Sequence, residues 1–357
     1  MSLRPALAMA LACCCAADGA KAQSQLSISG LVDIGVYRDT AGTWNVGPIQ
    51  RSNITFAGVE DLGGGLAATF TLNHRFETDT GQTEKVGKPF FHGESTVGLK
   101  GGFGAIRLGR ALDAMYSQDW QFDAWGNYDR IASPAWDIWH YNFPSDPRGN
   151  FGGTPEYGRL NNGVFYDSPD MGGFTVHLST AANEEVRGLP GGGDIELEQP
   201  WGVSLNYNAD NWAAMVARER NSAGNTDTFV GLRGSLGDFT LFGAWDRSEA
   251  FESIAKVVTV SAQYVMGHIT LRGGWGRLNL DGVRQQQTIG VGVTYAFSKR
   301  SSVYVDAASK RFPTDTRSMY GWGWRTASRA GCAATPRWRP RWRWVFPSGT
   351  GGCRPAS

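Results

Sequence analysis

Leu66-Ala67-Ala68-Thr69-Phe70-Thr71-Leu72-Asn73 is the stretch on which the fold turns. Leu66, Ala68, Phe70 and Leu72 share one parity, and Ala67, Thr69, Thr71 and Asn73 share the other. A period of two is strand patterning, with one apolar face and one polar or small face. The rhythm returns at Val97 and Leu99 against Thr96, Gly98 and Lys100, and again through 201–207, 228–234, 256–265 and 287–297. A soluble sandwich and a membrane barrel both alternate in this way. The connections must choose between them.

Turn signals are of two kinds, and the kinds alternate. Short connections, most bearing Gly, Asn or Asp, lie at 60–65, 101–104, 168–173, 208–211, 234–238, 265–268 and 297–300. Longer polar stretches fall between them at 38–50, 78–91, 111–157, 182–198, 220–225, 248–255, 278–285 and 310–316. Seven short and eight long connections require sixteen strands. Short periplasmic turns alternating with long outer loops mark a transmembrane barrel, whose tilted strands need about 9–11 residues. Closure leaves no unpaired edge in lipid, and sixteen strands enclose water rather than a packed core. The expected fold is all-β: a transmembrane antiparallel β-barrel of sixteen strands with one very long loop, the third.

Composition removes the competing classes. The longest uninterrupted apolar run in the 357 residues is Pro5–Ala17, 13 residues, too short for a membrane-spanning helix. Cys13, Cys14 and Cys15 lie in that run, and Cys332 and Cys353 lie near the C-terminus. Residues 23–321 therefore hold no cysteine, which excludes a disulfide scaffold, thiol catalysis and cysteine-bound zinc there. His74, His92, His140, His177 and His268 stand apart in sequence, with no His-Glu-x-x-His or Gly-x-Ser-x-Gly motif. Gly63–Gly65 and Gly191–Gly193 read as turns or loops, because no helical pattern follows them to form a phosphate cradle. No enzyme, metal site or cofactor is expected. The chain's formal charge of +1 hides an asymmetry: residues 23–321 carry 25 basic and 32 acidic groups, a net −7. Such a body is a poor electrostatic partner for nucleic acid.

The N-terminus reads as a targeting segment. Arg4 supplies the basic start, Pro5–Ala17 the apolar region, and Ala20-Lys21-Ala22 a cleavage site before Gln23. Leu11-Ala12-Cys13-Cys14 is a poor lipoprotein box, since Cys occupies its third place. Residues 1–22 are expected to be a signal peptide, and 23–321 the barrel.

The residues also resemble a known family. Ser27-Ile28-Ser29-Gly30-Leu31-Val32-Asp33-Ile34-Gly35-Val36 is similar to the first strand of the general porins of beta-proteobacteria. Phe56-Ala57-Gly58-Val59-Glu60-Asp61-Leu62-Gly63-Gly64-Gly65-Leu66 resembles their first periplasmic turn. Val97-Gly98-Leu99, Gly102-Phe103-Gly104 and Leu108-Gly109-Arg110 resemble the strands before the inward-folded third loop, and Asn161-Asn162-Gly163-Val164-Phe165-Tyr166-Asp167-Ser168-Pro169 the strand after it. The likeness runs in order through about residues 23–321. It implies an outer-membrane homotrimer, embedded in lipid, that passes small hydrophilic solutes by diffusion.

The selective chemistry of such a pore lies at its narrowest point. The connection 111–157 is 47 residues long, and a loop of that length is normally functional. It carries Asp113, Asp119 and Asp123, then Asp129 and Asp137, with few bases. Strand parity selects opposing bases. Ile54 and Phe56 form the apolar face of 51–59, so Arg51 and Asn53 point to the lumen. Arg75 shares parity with Thr69, Thr71 and Asn73, and Arg159 shares it with Asn161, Gly163 and Phe165. Arg110 has the parity of Ile106 and Leu108, toward lipid, unless Gly109 breaks the pleat. The resemblance implies a pore arginine in Leu108-Gly109-Arg110, and another where this chain has Asn53, so that Arg51 stands in for it. Arg51, Arg75, Arg110 and Arg159 are then the basic wall, and Asp113, Asp119 and Asp123 the acidic loop. Arginines facing carboxylates across a narrow passage set up a transverse field that orients dipolar solutes and biases ion choice.

Two alternatives remain in view. Tyr116, Trp120, Trp125, Tyr128, Trp136, Trp139 and Tyr141 could stack on sugar faces in a channel selective for a sugar or an organic anion, or could anchor the loop to the wall. Their uneven spacing favours anchoring. The second concerns the C-terminus, where residues 322–357 hold seven Arg and no Asp, Glu or Lys. Pro336-Arg337-Trp338-Arg339-Pro340-Arg341-Trp342-Arg343-Trp344 is either a basic membrane-active or nucleic-acid tail, or translation out of frame. The codons favour the frame error, and a barrel ending at Gly321 is expected to close poorly.

Overall fold

A computed structural model describes residues 25–84, 87–151, 154–182, 198–250 and 252–330. The expected signal peptide and the tail from residue 331 lie outside these. The sixteen spanning strands are β1 Gln25–Arg38, β2 Ser52–Gly63, β3 Leu66–Phe76, β4 Glu94–Gly101, β5 Gly104–Leu112, β6 Arg159–Asp167, β7 Phe174–Ala181 and β8 Trp201–Asn208, then β9 Trp212–Arg220, β10 Thr226–Leu236, β11 Phe239–Ala250, β12 Ser253–Met266, β13 Ile269–Leu280, β14 Val283–Ala296, β15 Ser301–Arg311 and β16 Thr316–Ala330. Each pairs antiparallel with its sequence neighbour, and β1 pairs with β16, so the sheet is a closed sixteen-stranded barrel.

The parity inverts that of a soluble protein. Val97 is 66% exposed and Leu232 57%, while Ser204, Asp227, Asp246 and Thr259 on the opposite faces are at most 2% exposed. Apolar residues face outward toward lipid and polar residues face the lumen. No helix among the described residues is long and apolar enough to cross a membrane.

Two details of the sequence reading change. The outer connections expected at 248–255 and 278–285 are shorter: strand β11 runs to Ala250 and β12 begins at Ser253, and 281–282 is a two-residue hairpin turn. Their polar residues continue the strand alternation above the apolar band, and Asp281 and Gly282 take the positive φ that a tight turn needs. The last strand, expected to end near Gly321, runs on to Ala330 and pairs with β1 from Tyr320 opposite Arg38 to Ala330 opposite Ile28. The reason is parity. Trp322 and Trp324 face outward, Gly321 and Gly323 face inward, and Arg325 reaches Ser302 and Gln50 from the inner face. The pattern survives, so the ladder survives.

The connection between β5 and β6, residues 113–158, folds against lumen-facing wall residues. Met115, Phe122, Ile138 and Trp139 pack with Met215, Phe229, Val257 and Leu278. Trp125, Ile131 and Ala132 pack with Ile49, Phe242 and Tyr304. The buried apolar core therefore lies inside the barrel, between this third loop and the wall of β9 to β16.

Candidate pore constriction

The wall left uncovered by that core is formed by β2 to β6, and there the basic residues gather. Asn53 pairs with Arg75 across β2 and β3, Ser95 with Arg110 across β4 and β5, and Leu112 with Arg159 across β5 and β6. These registers bring the outer ends of the strands to one level. Arg110 turns inward through a break in the β5–β6 register between Gly109 and Ala111. Gly109 has φ +127°, and a Cβ there would stand 2.2 Å from the Ser95 carbonyl oxygen, so only glycine fits.

The second loop, 77–93, folds back over this wall and supplies its counter-charges. Arg51 Nε lies 3.4 Å from Glu84 Oε1, and Arg75 Nη1 lies 3.8 Å from Glu84 Oε2. Arg130, from the third loop, reaches both Glu84 at 3.6 Å and Glu77 at 3.3 Å. Arg110 Nη2 is 3.2 Å from Glu156, which also receives Lys88 at 2.6 Å. Arg110 donates Nε–H to the His92 carbonyl, and Arg159 donates Nε–H to that of Gly93. Arg51, Arg75 and Arg110 all lie close enough to repel Arg159. The structure brings the four arginines together. Three are nearly buried, while the side chains of Arg51 and Arg130 remain 26% and 24% exposed.

Burial tends to raise the Glu84 carboxyl, but the His92 hydrogen bond and the fields of Arg51, Arg75 and Arg130 outweigh it and hold the group well below the usual range. Glu156 is held low in the same way by Lys88 and Arg110. Glu84, Glu156, Lys88 and Arg130 escaped the sequence reading. They sit on loops, where no period marks direction, and only the chain's return to the wall gives them a role.

The three loop aspartates do not join this group. Asp113, Asp119 and Asp123 are 1%, 2% and 4% exposed and serve the opposite contact, between the third loop and the far wall. Asp113 accepts the Tyr116 N–H at 2.8 Å. Asp123 accepts from the Trp125 and Asn127 backbones and from Ser133, with Ser261 of β12 at 3.4 Å. Asp119 meets His140 Nε2 at 3.0 Å, and His140 Nδ1 meets Asp227 of β10 at 2.6 Å. Turns in an inward-folded loop leave backbone N–H groups with no water to satisfy them; Asp113 and Asp123 are used in capping them, and Asp119 is taken by His140. Burial pushes all three upward, Asp119 to about 6 against the pull of His140.

Ligand atoms of His140, Asp227 and Asp246 lie within 4.8 Å of one another, the spacing of a cation site. However, both ring nitrogens of His140 are occupied by Asp119 and Asp227, and its backbone N–H donates to Asp246. The trio acts as the loop's anchor. Among the aromatic residues, Trp125 donates its indole N–H to Asp306 at 2.9 Å and Trp139 to Thr259 at 3.1 Å, again on the wall.

Comparison with known proteins agrees with this architecture. Residues 6–315 match the model of a family described as Gram-negative porin. Outer membrane porin protein 32 of Delftia acidovorans is 26% identical over 328 residues, covering 84% of this chain and 88% of that protein. Major outer membrane protein P.IB of Neisseria gonorrhoeae is 28% identical over 278 residues, 72% of this chain and 76% of that one. The anion-selective porin from Comamonas acidovorans superposes with a TM-score of 0.73 at 21% identity, over 86% of this chain and all of that one. OmpT of Vibrio cholerae in its trimer form gives 0.62 at 12% identity, over 85% and 99%. With 310 of its 357 residues inside the family match, the chain belongs to the Gram-negative porin family: it is a bacterial outer-membrane protein whose barrel is a channel for passive diffusion.

Proposed function

We propose that Arg51, Arg75, Arg110 and Arg159, with Lys88 and Arg130, form the electropositive side of the constriction, and that the channel passes small hydrophilic solutes with a preference for anions. One observation carries the reading: six bases converge on a site where Glu77, Glu84 and Glu156 form ion pairs with them and Asp146 lies beside Arg110 through Asn161, and the bases that keep exposed surface are Arg51 and Arg130. A surplus of fixed positive charge in a narrow, low-dielectric passage raises the local anion concentration. This local sign outweighs the net negative charge of residues 23–321. No bond is made or broken in this reading. The anion selectivity named for the Comamonas porin supports it. A homotrimer and removal of residues 1–22 on export complete the proposal, the first supported by the trimer form of the Vibrio cholerae barrel.

The test is reversal potential in planar bilayers under a salt gradient. Arg75→Gln, Arg110→Gln and Arg159→Gln together are expected to move it toward cations. An unchanged potential with folded barrel would remove the cluster from the selectivity filter. A sugar-selective channel is disfavoured because the Trp125 and Trp139 indoles are spent on Asp306 and Thr259.

A further inference from the structure

The third loop carries four tryptophans, and three of them are spent on holding its shape or its seat. Trp120 donates its indole N–H to the Ser117 carbonyl at 3.0 Å, Trp125 to Asp306 at 2.9 Å and Trp139 to Thr259 at 3.1 Å. Trp136 differs. Among the described residues its indole N–H has no acceptor, and its ring lies against the basic wall, with Arg51 Cζ 4.6 Å from the ring centroid. A helical turn sets this direction, closed by the Ile138 and Trp139 N–H groups on the Ala135 carbonyl at 3.1 Å each. Ala135, Ile138 and Trp139 share the side that packs on the far wall, and Lys310 of β15 takes the Asp137 carboxylate. Trp136, one residue after Ala135, is left on the opposite side and is half-buried, so it keeps surface open to the lumen.

Arg51 is the counterpart on the wall, just before β2. Its side chain is 26% exposed, and Glu84, beside Nε, is the carboxylate that pairs with it among the described residues. Its Nη groups make no hydrogen bond to the described residues. A guanidinium fork and an indole thus stand side by side in the passage, each with polar hydrogens left over. A guanidinium receives a carboxylate through two parallel hydrogen bonds. An indole receives a planar ring by offset or edge contact. Chloride or an aliphatic acid uses the first group only, and a neutral aromatic solute only the second.

We propose that the constriction favours aromatic carboxylates over other small anions, with Arg51 holding the carboxylate and Trp136 the ring. The inference rests on the anion preference argued above and names the class of solute that the same site selects. It leaves Trp125 and Trp139 as anchors, because their N–H groups are already bound to the far wall.

The test is block of the single-channel chloride current in planar bilayers by benzoate and by cyclohexanecarboxylate. The two anions have the same charge and similar size, and only benzoate is flat and aromatic. The wild type is expected to be half-blocked by benzoate at a concentration about fivefold lower, equivalent to about 1 kcal/mol, the scale of one aromatic pair. Trp136→Leu should bring the two anions to the same blocking concentration, and Trp136→Phe, which keeps a ring, should retain most of the difference. Arg51→Gln should weaken block by both. Equal block of the wild type by the two anions, in a channel that still prefers chloride to potassium, overturns the proposal and leaves the anion reading standing. A preference for potassium overturns both. An undiminished benzoate preference in folded Trp136→Leu overturns the assignment to this ring, and the wild-type comparison decides the solute class even where that variant does not fold.

Discussion

His140 Nδ1 lies 2.6 Å from Asp227 Oδ2, joining the third loop to β10 of the far wall with both side chains fully buried. Asp119 holds the other ring nitrogen, so one imidazole bridges two carboxylates. Burial opposes its protonation, but Asp246 and Asp227 overcome that and push it well above its ordinary value. A protonated ring is what two flanking carboxylates require. His140 also has φ +54°, a backbone region that Asn tolerates and most residues do not.

His140→Ala leaves Asp119 and Asp227 buried without their cation, a class of change that costs about 3–5 kcal/mol. The expected outcome is a lower thermal unfolding midpoint and a noisier open channel as the loop leaves the wall. His140→Asn keeps the backbone conformation and loses the charge, so a similar loss there assigns the effect to the bridge. A full rescue by Asn would assign it to the backbone.

The loop's seat on the wall makes a steric prediction. A Cβ on Gly290 of β14 would stand 1.9 Å from the Ala132 carbonyl oxygen, a backbone atom that cannot swing aside. Gly290→Ala should push the loop off the far wall toward the arginines, at a cost of about 1–3 kcal/mol. Single-channel conductance should fall. Wild-type conductance in a folded variant would mean that the loop does not define the passage.

The same geometry explains what the sequence could and could not disclose. Parity is local: Thr69 against Phe70 assigns faces without knowing any neighbour, and so the barrel, its strand number and the inward direction of Arg75 and Arg159 are legible. Asp119 and Glu84 are not. Both lie in loops, and their roles depend on partners distant in sequence, Asp227 by way of His140 for one and Arg130 for the other. Charge alone suggested that the loop aspartates would oppose the arginines. Burial reverses this, because the inward-folded loop uses Asp113 and Asp123 on its own backbone and Asp119 on His140.

Glu84 gives a prediction in pH. Its carboxyl is depressed in the folded protein, so the folded state binds fewer protons than the unfolded state. The contribution is then present above the ordinary value of 4.5 and is lost as pH falls below it. Acidification should loosen the second loop and free Arg51, Arg75 and Arg130 of their shared counter-ion, strengthening anion selectivity until the channel unfolds. Glu84→Gln should reproduce the stronger selectivity at neutral pH and flatten its acid dependence. Identical profiles for the variant and the wild type would show that the carboxylate does not set the field.

The last strand supports a prediction about the gene. We propose that residues from Trp322 onward are translated out of frame. Trp is TGG, and Gly, Thr and Ala are GGN, ACN and GCN; Arg325 is taken as CGN, Ser328 as TCN and Arg329 as AGR. Regrouping from the last base of the Gly321 codon gives NTG, GGG, NTG and GCG, which read Val, Leu or Met, then Gly, then Val, Leu or Met, then Ala. NAC, NGC and NTC follow and allow His, Arg and Phe, and NAG allows the stop TAG. The frame can thus read Val-Gly-Leu-Ala-His-Arg-Phe-stop. Its Val, Leu and Phe would fall at positions 322, 324 and 328, the parity on which Trp322, Trp324 and Ser328 are exposed. Both readings therefore satisfy the β16 pattern, which is why the strand as written still pairs with β1. They differ in the terminal aromatic and in the Arg-rich residues after 330. Sequencing the gene decides it: the alternative frame after Gly321 should reach a Phe codon followed at once by a stop, and a frame without one sinks the proposal. The protein with the repaired ending should also assemble into vesicles at higher yield than the chain as written.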